Sequence, residues 1–98
     1  YGRLGSLIIQ SANLDILEKF VQNLSSKVPK FHKDKDRIDI LGPAPAPIAK
    51  LRGLYRYRFL IKGKGDVRIQ SFIKEWLLNI KIDKGVRIKI DIDPYNFL

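Results

Sequence analysis

Tyr55-Arg56-Tyr57-Arg58-Phe59-Leu60-Ile61-Lys62 is the stretch on which the fold turns. Aromatic and β-branched residues alternate there with basic ones at a period of two, the pattern of a strand with one buried face. Tyr55, Tyr57, Phe59 and Ile61 fall on one side; Arg56, Arg58, Leu60 and Lys62 fall on the other. A strand that is apolar on one side needs something amphipathic to cover it, and the flanking sequence supplies that on both sides.

Toward the C-terminus, Gly63-Lys64-Gly65-Asp66 breaks the strand, with Asp66 a candidate helix cap. Ile69, Phe72, Ile73, Trp76, Leu77 and Ile80 then recur at helical spacing and give a broad apolar stripe. Asp83-Lys84-Gly85 turns the chain, and Val86 to Asp93 alternates until Pro94 ends it. Toward the N-terminus, Leu51-Arg52-Gly53-Leu54 is a turn. The block Gly42-Pro43-Ala44-Pro45-Ala46-Pro47 reads as an extended connector, because alternating prolines remove donors and hold their neighbours extended. Arg37-Ile38-Asp39-Ile40-Leu41 is a short strand, and Lys30 to Asp36 is a charged loop. Leu14, Leu17, Phe20, Val21, Leu24 and Val28 mark a first helix, capped by Asn13 or Ser11, with Lys27 in its last turn and Pro29 as its stop. Arg3 to Gln10, with its Leu7-Ile8-Ile9 run, opens the chain as a strand. Gly5 marks a place where that strand bulges or another backbone approaches it.

The order β-α-β-β-α-β is the split βαβ arrangement of ferredoxin-like domains. Right-handed crossovers then predict an α+β fold: a four-stranded antiparallel sheet in spatial order 4-1-3-2, with both helices on one face. Residues 1–98 form a single domain, since domains cluster near this length. On the helix face the alternation places Ile38, Ile40, Val86, Ile88, Ile90 and Ile92 beside the Tyr55 row. The open face carries Arg37, Asp39, Leu41, Arg87, Lys89, Asp91 and Asp93 beside the Arg56 row. Strand one is expected to be buried on both sides.

Composition narrows the function. Nineteen Lys and Arg against ten Asp and Glu leave a formal charge of +9 on 98 residues, which points to a polyanionic partner such as nucleic acid. With no cysteine, disulfides, thiol nucleophiles and thiolate metal sites are excluded. The single histidine, His32, sits in the charged loop and reads as solvated. No nucleotide-binding glycine fingerprint is present, and Gly63-Lys64-Gly65 is a tight turn too short to cradle phosphate. The strand from Arg52 to Phe59 invites comparison with an RNA-recognition motif. Its exposed face, however, offers Leu54 and Arg56 where stacking aromatics should stand. The three prolines lack P-x-x-P spacing and read as a stiff spacer. Asp91 and Asp93 project from one strand face and read as surface pairing, not a cation site. Trp76 lies within the second helical stripe and reads as core. No apolar run is long enough to cross a membrane, and a cytoplasmic module is expected.

Leu41-Gly42-Pro43-Ala44-Pro45-Ala46-Pro47-Ile48-Ala49-Lys50, followed by Arg52-Gly53-Leu54-Tyr55-Arg56-Tyr57-Arg58, closely resembles the signature of the primosomal protein N′ family of bacterial replication-restart DNA helicases, in its C-terminal domain. Tyr1-Gly2-Arg3-Leu4 looks like the junction from the helicase core, and Asp91-Ile92-Asp93-Pro94 resembles the family's closing motif. The resemblance implies a non-catalytic fragment with a fold similar to ribosomal protein S10. The ATP and zinc of the family belong to parts absent from this chain, which is expected to carry no cofactor of its own. The implied partners are forked or single-stranded DNA, the helicase lobes of the same parent chain, and the acidic, hydrophobic tail of single-stranded-DNA-binding protein. For that tail, Gln70 matches a family position on the second helix. One turn earlier the family carries Arg where this chain has Asp66, which leaves Arg68 or Lys64 to supply the cation.

Lys50, Arg52, Arg56, Arg58 and Lys62, on one strand and its entry loop, are the expected phosphate contacts, and Arg68 and Gln70 the expected partner contacts. A protein-docking domain without DNA contact, and a stand-alone S10-like RNA-binding protein, are the other classes that this composition fits.

Overall fold

Leu7, Ile9, Phe59 and Ile61 have no exposed surface, and the rest of the chain is arranged so that this is so. The computed structural model describes residues 2–30 and 32–92. Tyr1 of the expected junction and Asp93 and Pro94 of the last strand lie outside the described residues. The elements are β1 (Gly2–Ser11), α1 (Leu14–Ser26), β2 (Ile38–Leu51), β3 (Leu54–Lys64), α2 (Ile69–Leu78) and β4 (Val86–Ile92), with a single 3-10 turn at Lys35–Arg37. The chain is α+β. Its strands form one antiparallel sheet in the hydrogen-bonded order β2-β3-β1-β4.

Register fixes which residues share a face. Leu7 lies between Phe59 and Ile90, and Ile9 between Tyr57 and Ile88. Side chains directly opposite one another point the same way, so the helix-facing set runs from Ile61 and Phe59 across Leu7 and Ile9 to β4. Both helices lay their stripes on this face: Leu17, Phe20, Val21 and Leu24 from α1, and Ile69, Phe72, Ile73 and Trp76 from α2, join one cluster with the strand residues. Burying each such side chain contributes about 1.5–3 kcal/mol before conformational entropy is charged against it. Trp76 is core, packed edge-on against Phe59 with centroids 5.1 Å apart. The central β1 is covered on its helix side at Leu7 and Ile9 and half-buried at Ile8 on the other.

The caps explain where α1 starts. Asn13 accepts from the Ile16 N–H at 3.1 Å, and the Ser11 hydroxyl accepts from the Asn13 N–H at 3.1 Å, so both candidate residues are used. The helix ends one residue sooner than the charge pattern suggests. Lys27 is the C-cap, and Val28 packs on the core from beyond it. Ile80 does the same beyond α2.

Four expectations need correction. The Gly42–Pro47 connector is part of β2, a fourteen-residue strand that pairs with β3 at Ala44 and Pro45 and again at Lys50 and Leu51. Proline is tolerated there because β2 is an edge, where a missing N–H on the outer side breaks no ladder. Register shifts between Leu41 and Ala44, and between Pro45 and Lys50, divide β2 into separately paired stretches instead of one clean strand.

Asp66 is not a cap. Arg68 holds the N-cap position without a side-chain bond, because Val67 intervenes and buries itself as a plug beneath the turn. Gly63 and Lys64 are strand residues rather than turn residues. Gly5 sits in an unbroken register on both sides, and it is the Ile69 side chain that comes close to it.

Candidate nucleic-acid interface

The side of the sheet away from the helices is uncovered. Reading across it, Arg56 on β3 faces Gln10 on β1, which faces Arg87 on β4. In the adjacent row Arg58 faces Ile8, which faces Lys89. Neighbouring side chains in such a row stand about 4.5–5.5 Å apart at Cβ. Two consecutive rows therefore bring four cations onto one rigid surface, with Gln10 and Ile8 between them. The next row, Leu41, Leu60, Ser6 and Asp91, is apolar and acidic, and in the row beyond it Lys62 stands opposite Asp39. Positive charge is thus concentrated at one end of the open face.

The structure divides the expected phosphate contacts. Arg58 and Lys62 are on the open face, Lys62 beside an acid. Arg56 is on that face too, but its Nη1 donates to the Ile48 carbonyl at 3.2 Å and its Nε is buried without a partner. It therefore ties down the irregular part of β2 and shows only part of its guanidinium to solvent. Lys50 pairs with Tyr55 and lies over its ring, Nζ 4.8 Å from the centroid. That places Lys50 on the helix side of the sheet, away from the cluster, in a contact worth about 0.5–1 kcal/mol. Arg52 is at the exposed tip of the β2–β3 hairpin. Arg52 and Gly53 both have positive φ, 53° and 81°, as a two-residue turn matching the sheet twist requires. Arg87 and Lys89 complete the patch. Alternation alone puts them on the open face, but only the β1 register shows that they share rows with Arg56 and Arg58.

A second feature lies at the opposite end of β1. Arg3, Asp66, Arg68, Gln70 and Ser71 line an open depression, so the two expected partner contacts sit together with a cation, Arg3, that motif reading missed. Lys64 is not among the residues lining it. Asp66 is engaged from outside the depression: Arg37 donates to it at 3.2 Å and to Asp34 at 2.9 Å. These two carboxylates, Asp34 first, raise the affinity of the Arg37 guanidinium for its proton. Arg37 is thus drawn off the open face onto which simple alternation had placed it.

In the neighbouring loop His32 is not simply solvated. Its Nδ1 accepts the Asp34 N–H at 3.0 Å, and its ring meets Phe72 edge-on at 5.2 Å. Asp34 itself is buried. Among the described residues no group of three or more acidic or histidine side chains is placed to hold a metal ion, and no helix is long and apolar enough to cross a membrane.

Residues 1–95 match the family described as primosomal protein N C-terminal domain. The chain belongs to this family. The replication restart protein PriA of Rickettsia typhi is 37% identical over 97 residues, covering 99% of this chain. That of Rickettsia prowazekii is 40% identical over 101 residues, and that of Bacillus subtilis 39% identical over 59 residues, or 57% of the chain. The chain spans 14% of the length of the two Rickettsia proteins. A de novo designed protein, Foldit4, shares the fold with a TM-score of 0.63 at 12% identity, covering 95% of this chain and 97% of that one. So low an identity speaks for the architecture of this PriA-family domain and for nothing else.

Proposed function

We propose that this domain is a non-catalytic DNA-contacting module of a bacterial replication-restart helicase, and that it holds phosphates with the open sheet face. The observation that carries the reading is the pair of adjacent rows bearing Arg56, Arg58, Arg87 and Lys89. Cations fixed on paired strands neutralise phosphates at little conformational cost and release counterions, which contributes affinity without reading sequence. Arg52 extends the surface from the hairpin tip, and Lys62 lies at its weaker, acid-flanked end. Lys50 contributes only if a strand of DNA wraps over the edge of β2. We class the architecture as ferredoxin-like, similar to ribosomal protein S10, on the order β2-β3-β1-β4 with both helices on one face. The acidic tail of single-stranded-DNA-binding protein is assigned to the depression of Arg3, Arg68 and Gln70, and the helicase lobes of the parent chain are its covalent neighbours. The cytoplasm of a bacterium is where such a module would work.

Binding of forked, single-stranded and duplex DNA across a salt series tests the reading. Arg58→Ala with Lys89→Ala should weaken every DNA alike and flatten the dependence of log K on log salt by about one to two units. An unchanged slope with the fold intact would leave the domain a docking module without DNA contact. The half-buried Leu4, Ile8 and Leu60 on the same face would then be the surface to pursue.

A further inference from the structure

Between the two cationic columns of the open face lies a channel floored by β1. Arg56 and Arg58 stand on β3, Arg87 and Lys89 on β4, and Gln10 and Ile8 lie between them. The columns are two strand spacings apart, about 9–10 Å, and their side chains are longer than those of the floor. One end of the channel is closed by the next row, where Ser6 is buried between Leu60 and Asp91. The other end runs out past the exposed Ala12, where β1 gives way to α1. Gln10 is half-buried, and its amide takes part in no side-chain hydrogen bond among the described residues. Across β3, β1 and β4, every other side chain in these two rows is a cation or Ile8.

Such a channel sorts nucleic acids by whether their bases are free. The major groove of a duplex, about 12 Å wide, admits a helix or a two-stranded ribbon. Four strands side by side already span about 14 Å between the outer axes, so this sheet stays outside the groove. Because β1 is an inner strand, Gln10 stays with it, away from base edges that are in any case paired. In a single strand the bases turn freely about the backbone. Cations that hold its phosphates then bring a base over the floor, where Ile8 offers an apolar seat and Gln10 a donor and an acceptor together. We infer that Gln10 is the residue with which this face tells unpaired bases from paired ones. Its amide bonds to the edge of an unpaired base while Arg58, Arg87, Lys89 and the exposed part of Arg56 hold the adjoining phosphates. Every base carries both a donor and an acceptor on its Watson–Crick edge, so the contact tolerates any sequence. The inference rests on the reading of the open face as a phosphate-binding surface, and adds a contact that phosphates cannot supply.

A strand stripped of its bases separates the two kinds of contact. Fluorescence anisotropy of the 98-residue chain is read with a labelled oligothymidylate, an abasic strand of the same length and charge, and a blunt duplex. The wild type should bind the thymidine strand about two- to tenfold more tightly than the abasic one, the worth of one net hydrogen bond. That ratio should be the same at low and high salt, because a neutral amide releases no counterion. Gln10→Ala should lose most of the preference and bind the duplex as wild type does. Gln10→Val, a good strand former, makes the same test if circular dichroism shows that alanine weakens the central strand. A wild type that binds both single strands equally, or folded variants that keep the full preference, would overturn the inference and leave the phosphate reading standing. An Arg58→Ala, Lys89→Ala protein with an unchanged salt slope would instead remove the phosphate reading, and this inference with it.

Discussion

The indole N–H of Trp76 donates to the carbonyl of Leu24 at 2.9 Å, so the last turn of α2 is tied to the last turn of α1 within the core. The last carbonyls of a helix have no partner further along it, and Leu24 is satisfied by Trp76 together with its own C-cap, Lys27. Trp76 also packs edge-on against Phe59 and Phe72. Trp76→Phe keeps most of the packing and loses the bond, which contributes about 0.5–1.5 kcal/mol. Trp76→Ala removes both and should cost about 3–5 kcal/mol, a large share of the roughly 5–15 kcal/mol that holds a domain folded. Urea titration followed by far-ultraviolet circular dichroism separates the two. Equal losses would mean that the bond and not the ring holds the helices together.

Gly63 shows how the β3–α2 connection is packed. A Cβ there would run into the Val67 side chain, too close for two carbons, and would lie 3.2 Å from Ile69. Val67 is 1% exposed and has no room to retreat. Gly63→Ala should therefore destabilise by roughly 1–3 kcal/mol, as overpacked cores do. The double variant Gly63→Ala, Val67→Ala should lose less than the sum of the two single changes, because the second creates the space that the first needs. Strict additivity in denaturation midpoints would show that the clash is not where the structure puts it.

Tyr57 and Glu18 give a pH dependence with a definite sign. The Tyr57 hydroxyl donates to the Glu18 carboxylate at 3.0 Å, and this bond, helped by partial burial and by the negative charge of Glu18, raises the phenol above its ordinary value near 10. The folded state then holds the proton more tightly than the unfolded chain does. The contribution to stability is complete below the unfolded value and is lost as pH rises through the folded one. Stability should fall more steeply with alkaline pH in wild type than in Tyr57→Phe. Glu18→Gln should bring the Tyr57 phenolate transition down toward its ordinary value by ultraviolet absorbance. Parallel pH profiles for wild type and Tyr57→Phe would refute the assignment.

The faces of the sheet were legible because a period of two survives any uncertainty about strand ends: Phe59 and Ile61 had to point where the helices are. What the local pattern hid were features that depend on what lies next door. The prolines of β2 read as a connector because a proline in a central strand would break a ladder, and only the position of β2 at the edge removes that objection. Asp66 reads as a cap until Val67 is seen to take the buried position between it and α2. Lys50 and Arg56 look equivalent as cations in the sequence. One lies over Tyr55 on the helix side, and the other is bonded to Ile48, because the register shifts of β2 bring those partners alongside. Arg3 belongs to the depression only through the pairing of β1 with the end of β3, where it stands opposite Gly63.

That depression yields the last prediction. A tail that is acidic and ends in an apolar residue with a free carboxylate needs cations that are free to meet it, since charge-assisted bonds orient such a peptide. Arg3 and Arg68 supply them, Gln70 adds a donor, and Asp66 opposes them from the same rim. Because Asp66 is not a helix cap, replacing it removes no backbone bond of α2. Its side chain is 95% exposed, and Arg37 keeps its shorter bond to Asp34 at 2.9 Å when Asp66 is gone. Asp66→Arg should therefore leave the fold intact and strengthen binding of a labelled acidic tail peptide several-fold. Arg68→Ala and Gln70→Ala should weaken that binding, and the gain from Asp66→Arg should shrink as salt is added and the exposed charges are screened. Fluorescence anisotropy titrations of the four proteins at two salt concentrations decide it. Tight wild-type binding that is indifferent to all three substitutions would place the tail elsewhere on the domain.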